Sequence, residues 1–244
     1  MFKLADERVE RSRELIDSAT SVVDRSEQLL WEELEALEAA YTSRSGYFAA
    51  KRVLDVVLAS AGIIVLSPVY AVVTLGVLLT DGAPIIFSHQ RVGHRGKPFN
   101  VLKFRSMRKD AEKYLQAHPE LKRKFEENFK LEDDPRITKI GKFLRSSSLD
   151  ELPQFFNVLK GEMSLVGPRP IVTQELERYG NKQSVYLMLK PGVTGLWQCS
   201  GRSDTSYDER VDMDVEYAQK ASILFDLKII GRTFGAVLAR RGAK

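Results

Sequence analysis

At 244 residues and 43% hydrophobic content, the chain is long enough for one large domain or a smaller one with appendages. Its net charge of +4 is unevenly placed: residues 1–50 carry 6 Lys/Arg against 11 Asp/Glu, leaving 31 Lys/Arg and 22 Asp/Glu to residues 51–244. A basic body behind an acidic leader points to a phosphate-rich partner, while the single cysteine, Cys199, excludes an intramolecular disulfide and a thiolate metal cage.

Residues 1–40 are charged throughout, so no secretory signal is expected there. Val9, Ile16, Val23, Leu30 and Leu37 recur every seven residues, with Leu15, Val22, Leu29 and Ala36 beside them. This heptad predicts a helix that either packs on its own domain or self-associates, and a homodimer is one expectation. Thr42–Gly46, TSRSG, reads as a linker. From Val53 to Leu79 the chain is almost wholly apolar, 27 residues where a bilayer crossing takes roughly 20. Ser67-Pro68 lies at its middle, where proline removes a helical hydrogen bond and the serine hydroxyl can cover the freed carbonyl. Basic residues flank both ends, Lys51 and Arg52 before and Arg91, Arg95 and Lys97 after. A helix that breaks at Ser67-Pro68 and returns keeps both clusters on one face; a kinked crossing and a buried core helix are the alternatives. Asp55 is affordable only at interface depth.

Pro84–Phe87 and Phe99–Phe104 read as short strands around the turn GHRGK, and seven Lys/Arg fall between Arg91 and Lys109. That density suits anionic headgroups or a phosphate-reading surface. No nucleic-acid module is recognisable, so nucleic acid is not expected as a partner. Residues 110–130 read as helical with a break at Pro119 and a stripe of Leu121, Phe125 and Phe129; DDPRITKIG (133–141) is a turn leading to a short element.

The stretch RSSSLDELPQFFNVLKGEMSLVGPRP (145–170) places two adjacent acids, Asp150 and Glu151, at the start of a predicted helix. Leu152, Phe155, Phe156 and Leu159 form one face at the 3.6-residue period, and Gly161 is the expected C-cap. Ser148 with Glu151 has capping-box spacing, but that start puts Pro153 too deep; Asp150 as N-cap places Pro153 in the first turn. Either way the Asp150 carboxylate is expected to be ionised at the positive end of a dipole. The bland reading is a capped amphipathic helix. Downstream, KPGVTGLWQCSGR (190–202) is loop-rich and ends in Arg202, and residues 206–221 read as a helix. The last helix, 224–241, is basic and amphipathic, suited to a membrane interface or to packing on the core.

These parts suggest phosphate chemistry at a membrane surface. There is no P-loop and no HExxH, and His89, His94 and His118 are too scattered for a histidine metal site. A carboxylate-held Mg²⁺ with arginine clamps is the remaining way to neutralise a diphosphate. From about Lys51 to Arg232 the chain resembles the bacterial sugar transferases, the monotopic polyprenyl-phosphate phosphoglycosyl transferases. The resemblance is carried by KRVLDVVLA with the central Ser67-Pro68, KFRSM (103–107), DPRITKIG, the 145–170 stretch, PGVTGLWQCSGR and DVEYAQKASILFDLKII.

What the resemblance implies is transfer of a sugar 1-phosphate from a UDP-sugar to polyprenyl phosphate with release of UMP, at the cytoplasmic face of the bacterial inner membrane. It makes Asp150 the nucleophile through a covalent aspartyl phosphosugar. Glu151 orients the site, with Asp150 and Glu151 as Mg²⁺ ligands. Lys103, Arg145, Arg169, Pro168 and Arg202 fall to substrate binding. The hairpin is then re-entrant, and the WQCSGR-containing part looks more like the hexose-1-phosphate branch. The expected architecture is mainly α with a few short strands (α+β): a helical leader over 1–46, a membrane hairpin over 47–80 in contact with lipid, and a catalytic domain over 81–244. A Mg²⁺-dependent membrane phosphodiesterase and a non-catalytic scaffold are the competing readings; the scaffold has no need of Asp150 and Glu151.

Overall fold

The computed structural model describes residues 31–128, 131, 134–200 and 205–238. The heptad positions up to Leu30, together with Phe129 and Arg202, lie outside the described residues. Residues 31–42 are helical (α1). The chain divides into two compact units between Ser43 and Arg44, inside the TSRSG stretch. That stretch is a brief break, since the next helix opens at Ser45.

The second unit is mainly helical, as expected. Helix α2 (Ser45–Val65) is followed after Leu66 by α3 (Ser67–Asp81). Strands β1 (Ile86–Val92) and β2 (Pro98–Phe104) form an antiparallel hairpin around a 3₁₀ turn at His94–Gly96. Helices α4 (Ala111–Gln116) and α5 (Pro119–Asn128) are separated next to Pro119, and α6 (Lys139–Ser146) follows the DPRIT turn. A 3₁₀ turn at Leu149–Glu151 leads into α7 (Gln154–Lys160) and β3 (Ser164–Val166). The rest runs through α8 (Thr173–Leu176), a 3₁₀ segment at Glu177–Lys182, α9 (Gln183–Met188), β4 (Gly192–Thr194), α10 (Leu196–Ser200), α11 (Tyr207–Lys220) and α12 (Ile223–Leu238). Strands β3 and β4 pair in parallel, so the 190–202 stretch, read as loop, holds a short strand and a short helix.

No single described helix is long and apolar enough to cross a membrane; α2 and α3 pass that test only as a pair, bent by 62°. The bend has the chemistry the sequence implies. Pro68 cannot donate to the Ile64 carbonyl, and Ser67 Oγ donates to that same oxygen at 2.8 Å. Both ends of the pair are tied to the same body. Lys51 Nζ reaches Asp226 at 2.8 Å, and Asp226 also accepts from the hydroxyls of Tyr47 and Tyr217. Arg52 donates to the carbonyls of Val158 and Leu159 at 2.6 and 2.7 Å, the last turn of α7. Asp55 accepts from Ser164 Oγ and Leu165 N, which explains an acid inside an apolar run. At the far end Thr138 Oγ1 donates to Asp81 at 2.8 Å, and Arg105 Nη2 donates to the carbonyls of Asp81 and Gly82. The middle is bare: Ile64 and Val65 are 72% and 74% exposed and Val72 is 70% exposed.

Two sequence expectations about α7 change. Pro153, not Asp150, is its N-cap residue; the acidic pair sits one turn earlier in 3₁₀ geometry, after Ser148 at φ 56°. The apolar stripe is also divided, with Leu152 packed against the core cluster of Val73, Val77, Phe104 and Leu144. The buried face is Gln154, Asn157 and Val158, because Asn157 binds the neighbouring strand: its Oδ1 accepts from Leu102 N and its Nδ2 donates to Asn100 O. Phe155 instead meets α2, where a Cβ on Gly62 would lie 2.7 Å from its ring, and Phe156 is exposed beside Tyr70 of α3. Helix α12 behaves similarly, with Asp226 and Ile229 buried and Leu224, Leu227 and Phe234 exposed.

Candidate active site

Three segments converge on the acidic pair. The first is β2, held against α7 by Asn157, which brings Lys103 Nζ to Glu151 Oε1 at 2.6 Å. The second is the end of α6, where Arg145 Nε donates to Ser106 Oγ at 2.9 Å and the arginine charge acts on Asp150. The third is the GPRP loop. It is stitched to the 190–194 segment by Gly167 N to Thr194 O and Gly192 N to Pro168 O. Such close approach needs glycine on both sides, since a Cβ on Gly167 would stand 2.2 Å from Lys190 O and one on Gly192 2.2 Å from Gly167 N. The stitching leaves Arg169 exposed at the loop tip, its charge acting on Glu151.

The two acids titrate in opposite directions. Asp150 is 6% exposed, and burial, opposed by Lys103 and reinforced by Glu151, pushes its pKa up to about 6. The sequence expectation of an ionised carboxylate at neutral pH therefore stands, although burial raises its pKa. For Glu151, burial pushes upward too, but the Lys103 and Arg169 charges with hydrogen bonds from Lys103 and Gln154 hold it below the usual range. One carboxylate is thus a fixed anion and its neighbour the more basic of the two.

A small cavity of about 20 Å³ is lined by Arg91, Val101, Lys103, Glu151, Gln154 and Arg169, with Pro170, Gly192, Val193 and Gln198 completing it. Of the sequence candidates, the structure brings together Asp150, Glu151, Lys103, Arg145 and Arg169. Pro168 is buried behind the loop, and Pro170 is the proline that meets the cavity. Ser67 and Pro68 serve the helix break. Sequence reasoning missed Gln154 and Arg91. Gln154 is 3% exposed one helical turn after Glu151. Arg91 stands opposite Phe99 on the strand pair, the same face as Lys103, so the alternation of β1 and β2 was the available signal.

Among the described residues no three His, Cys, Asp or Glu side chains cluster as a metal site. A pair of carboxylates still fits Mg²⁺, which takes one or two carboxylates and leaves its remaining positions to water and substrate phosphate.

The bacterial sugar transferase family model covers residues 46–240. The chain belongs to that family. It is 46% identical over 198 residues to the exopolysaccharide production protein ExoY of Sinorhizobium fredii, covering 80% of this chain and 88% of that one. It is 49% identical to the undecaprenyl-phosphate galactose phosphotransferase of Salmonella typhimurium and 48% identical to the UDP-galactose-lipid carrier transferase of Erwinia amylovora, each over 197 residues and 79% of this chain. It spans 41% of the length of each of those two longer proteins.

Proposed function

We propose that the protein transfers a hexose 1-phosphate from a UDP-sugar to polyprenyl phosphate, releasing UMP, as the first membrane step of exopolysaccharide or related glycan synthesis. The observation that carries this reading is the split acidic pair: a buried carboxylate with a pKa of about 6 beside one fixed as an anion by Lys103. An Asp150 oxygen attacks the phosphorus bearing the sugar, and the bond from that phosphorus to the UMP oxygen breaks. The product is an aspartyl phosphosugar. A polyprenyl-phosphate oxygen then attacks the same phosphorus and returns Asp150 as a carboxylate. Division into two displacements lets each anionic partner be positioned in turn. Arg169 and Arg145 offset the charge on the phosphates, and Lys103 keeps Glu151 ionised and oriented. Mg²⁺ held by Asp150 and Glu151 would supply further neutralisation of the leaving UMP.

The same reading places the protein at the cytoplasmic face of the membrane, with α2 and α3 as a re-entrant hairpin. Its two ends are fixed by polar contacts to one body while its middle is apolar and exposed, which supports entry and exit at the same face. With both arms tilted equally, a 62° bend puts the apex roughly 11 Å below the far end of the 15-residue α3 and roughly 16 Å below the start of the 21-residue α2. Both depths fall well short of the ~30 Å hydrocarbon core. Exposed Phe143, Phe156, Leu224, Leu227 and Phe234 offer further apolar surface to lipid.

The test is UMP release from a panel of UDP-sugars by the protein in lipid particles, with and without polyprenyl phosphate, beside Asp150→Asn. Acceptor-dependent UMP from one sugar, lost by at least 10³-fold in the variant, is the expected result; the loss compares with removal of an essential nucleophile. UMP release indifferent to both acceptor and Asp150 overturns the mechanism.

A further inference from the structure

The cavity at the acidic pair, about 20 Å³, has room for little more than a water molecule and cannot by itself take a nucleotide. A second cleft of about 470 Å³ adjoins it, within the roughly 300–1,000 Å³ of small-molecule sites. Its walls are the outer edge of β1, with His89 and Arg91, and the segment Val172, Thr173 and Gln174. Arg91 lines both spaces.

The walls are built and fixed. Val92 N donates to Ile171 O at 2.9 Å, and the buried Tyr186 hydroxyl joins them again, donating to Val92 O at 2.9 Å and accepting from Ile171 N at 3.2 Å. The strand register connects the cleft to the reaction centre. Lys103, Val101 and Phe99 alternate along one face of β2, with Phe87, His89 and Arg91 opposite them on β1. Each step along that face is about 7 Å, so Arg91, which lines both spaces, stands two steps along from Lys103 and Glu151, within the span of a nucleoside diphosphate. Arg91 at the neck is only loosely engaged: its Nη1 lies 3.5 Å from Glu175, and its buried Nε has no hydrogen-bond partner among the described residues. A guanidinium in that state suits a phosphate or ribose oxygen.

We infer that this cleft takes the nucleoside of the donor, with Arg91 at the neck and Thr173, Gln174 and His89 around the base. The inference rests on the proposed donor being a nucleoside diphosphate sugar. A pyrimidine imide presents an acceptor, a donor and an acceptor in a row. The Gln174 amide offers both complements, and the Thr173 hydroxyl can supply either. His89 adds an aromatic face, and burial together with the Arg91 charge lowers its pKa, favouring the neutral ring.

The experiment measures UMP and ribose 5-phosphate binding calorimetrically to the full chain in lipid particles, for the native protein and for Thr173→Val/Gln174→Ala, together with donor KM and kcat. Both positions are exposed, so the melting temperature should not move. Expected are a tenfold or greater loss of UMP affinity with a matching rise in donor KM, while kcat and ribose 5-phosphate affinity stay unchanged. A double variant that keeps native UMP affinity and donor KM overturns the cleft assignment and leaves the transferase standing. A native protein that neither binds UMP nor releases it from any UDP-sugar overturns the transferase reading, and this assignment falls with it.

Discussion

Asp150 and Glu151 are adjacent, yet their surroundings give them different work. A carboxylate with a pKa of about 6 is still mostly ionised at neutral pH and is more basic than an ordinary aspartate, which suits attack on phosphorus. Its neighbour, ion-paired to Lys103, is too weak a base for that role and is better placed to orient. The resemblance assigned attack to Asp150 and orientation to Glu151, but the physical basis of that division was not legible, because it depends on burial and on a lysine 47 positions upstream of Asp150. Asp214 is a second displaced acid, and it lies outside the active site. Fully buried with only Tyr179 OH opposing the effect of burial, its pKa is pushed up to about 7. The folded protein therefore keeps this proton up to about pH 7, whereas the unfolded chain releases it near the ordinary value of 3.8. The contribution to stability is full below pH 3.8 and is lost as pH rises toward 7, by about 4 kcal/mol at most. Thermal melts at pH 5 and pH 8 check this: Asp214→Asn should lose less stability over that interval than the native protein.

Helix α7 illustrates what periodicity can and cannot reveal at the scale of an element. Its C-cap was legible in Gly161, which adopts φ 82°, and so were the second strand, the helix α11 and the carbonyl cover at Ser67, whereas the first strand, expected over Pro84–Phe87, runs over Ile86–Val92. The orientation of α7 was not legible. An apolar stripe of Leu152, Phe155, Phe156 and Leu159 ordinarily marks the core face, but here a polar residue, Asn157, is fully buried because it bonds the β2 backbone. The same inversion in α12 turns Leu224, Leu227 and Phe234 outward. In the proposed membrane setting two apolar media are available, the protein's own core and lipid, and hydrophobic spacing alone does not say which one a stripe meets. Arg52 links the hairpin to α7 by two hydrogen bonds to the carbonyls of Val158 and Leu159. Arg52→Gln removes a cation from the negative end of that helix and should destabilise the fold by roughly 1–3 kcal/mol. Arg52→Lys should restore part of it, as denaturant titration in detergent would register.

At the scale of the whole molecule, polar contacts at both ends of α2–α3 set off a body that holds the candidate site from a wedge whose middle is apolar and exposed. Composition already implied this division, since a long apolar run sits beside a basic body. The attachment of the two arms rests on contacts 23 to 175 residues apart and was not readable from the run itself. In the proposed re-entrant arrangement the wedge ends inside the layer it enters, so none of the described residues registers the position of the opposite leaflet. A spanning helix must tilt, kink or deform its surroundings when acyl chains lengthen or shorten. This protein should be indifferent to them. Turnover in vesicles of short-chain and long-chain phospholipids at matched surface charge should differ by less than about twofold, whereas a spanning anchor would impose a thickness optimum. Under that proposal the Asp150 carboxylate is set at a constant height above one surface, and the protein measures its membrane from a single side.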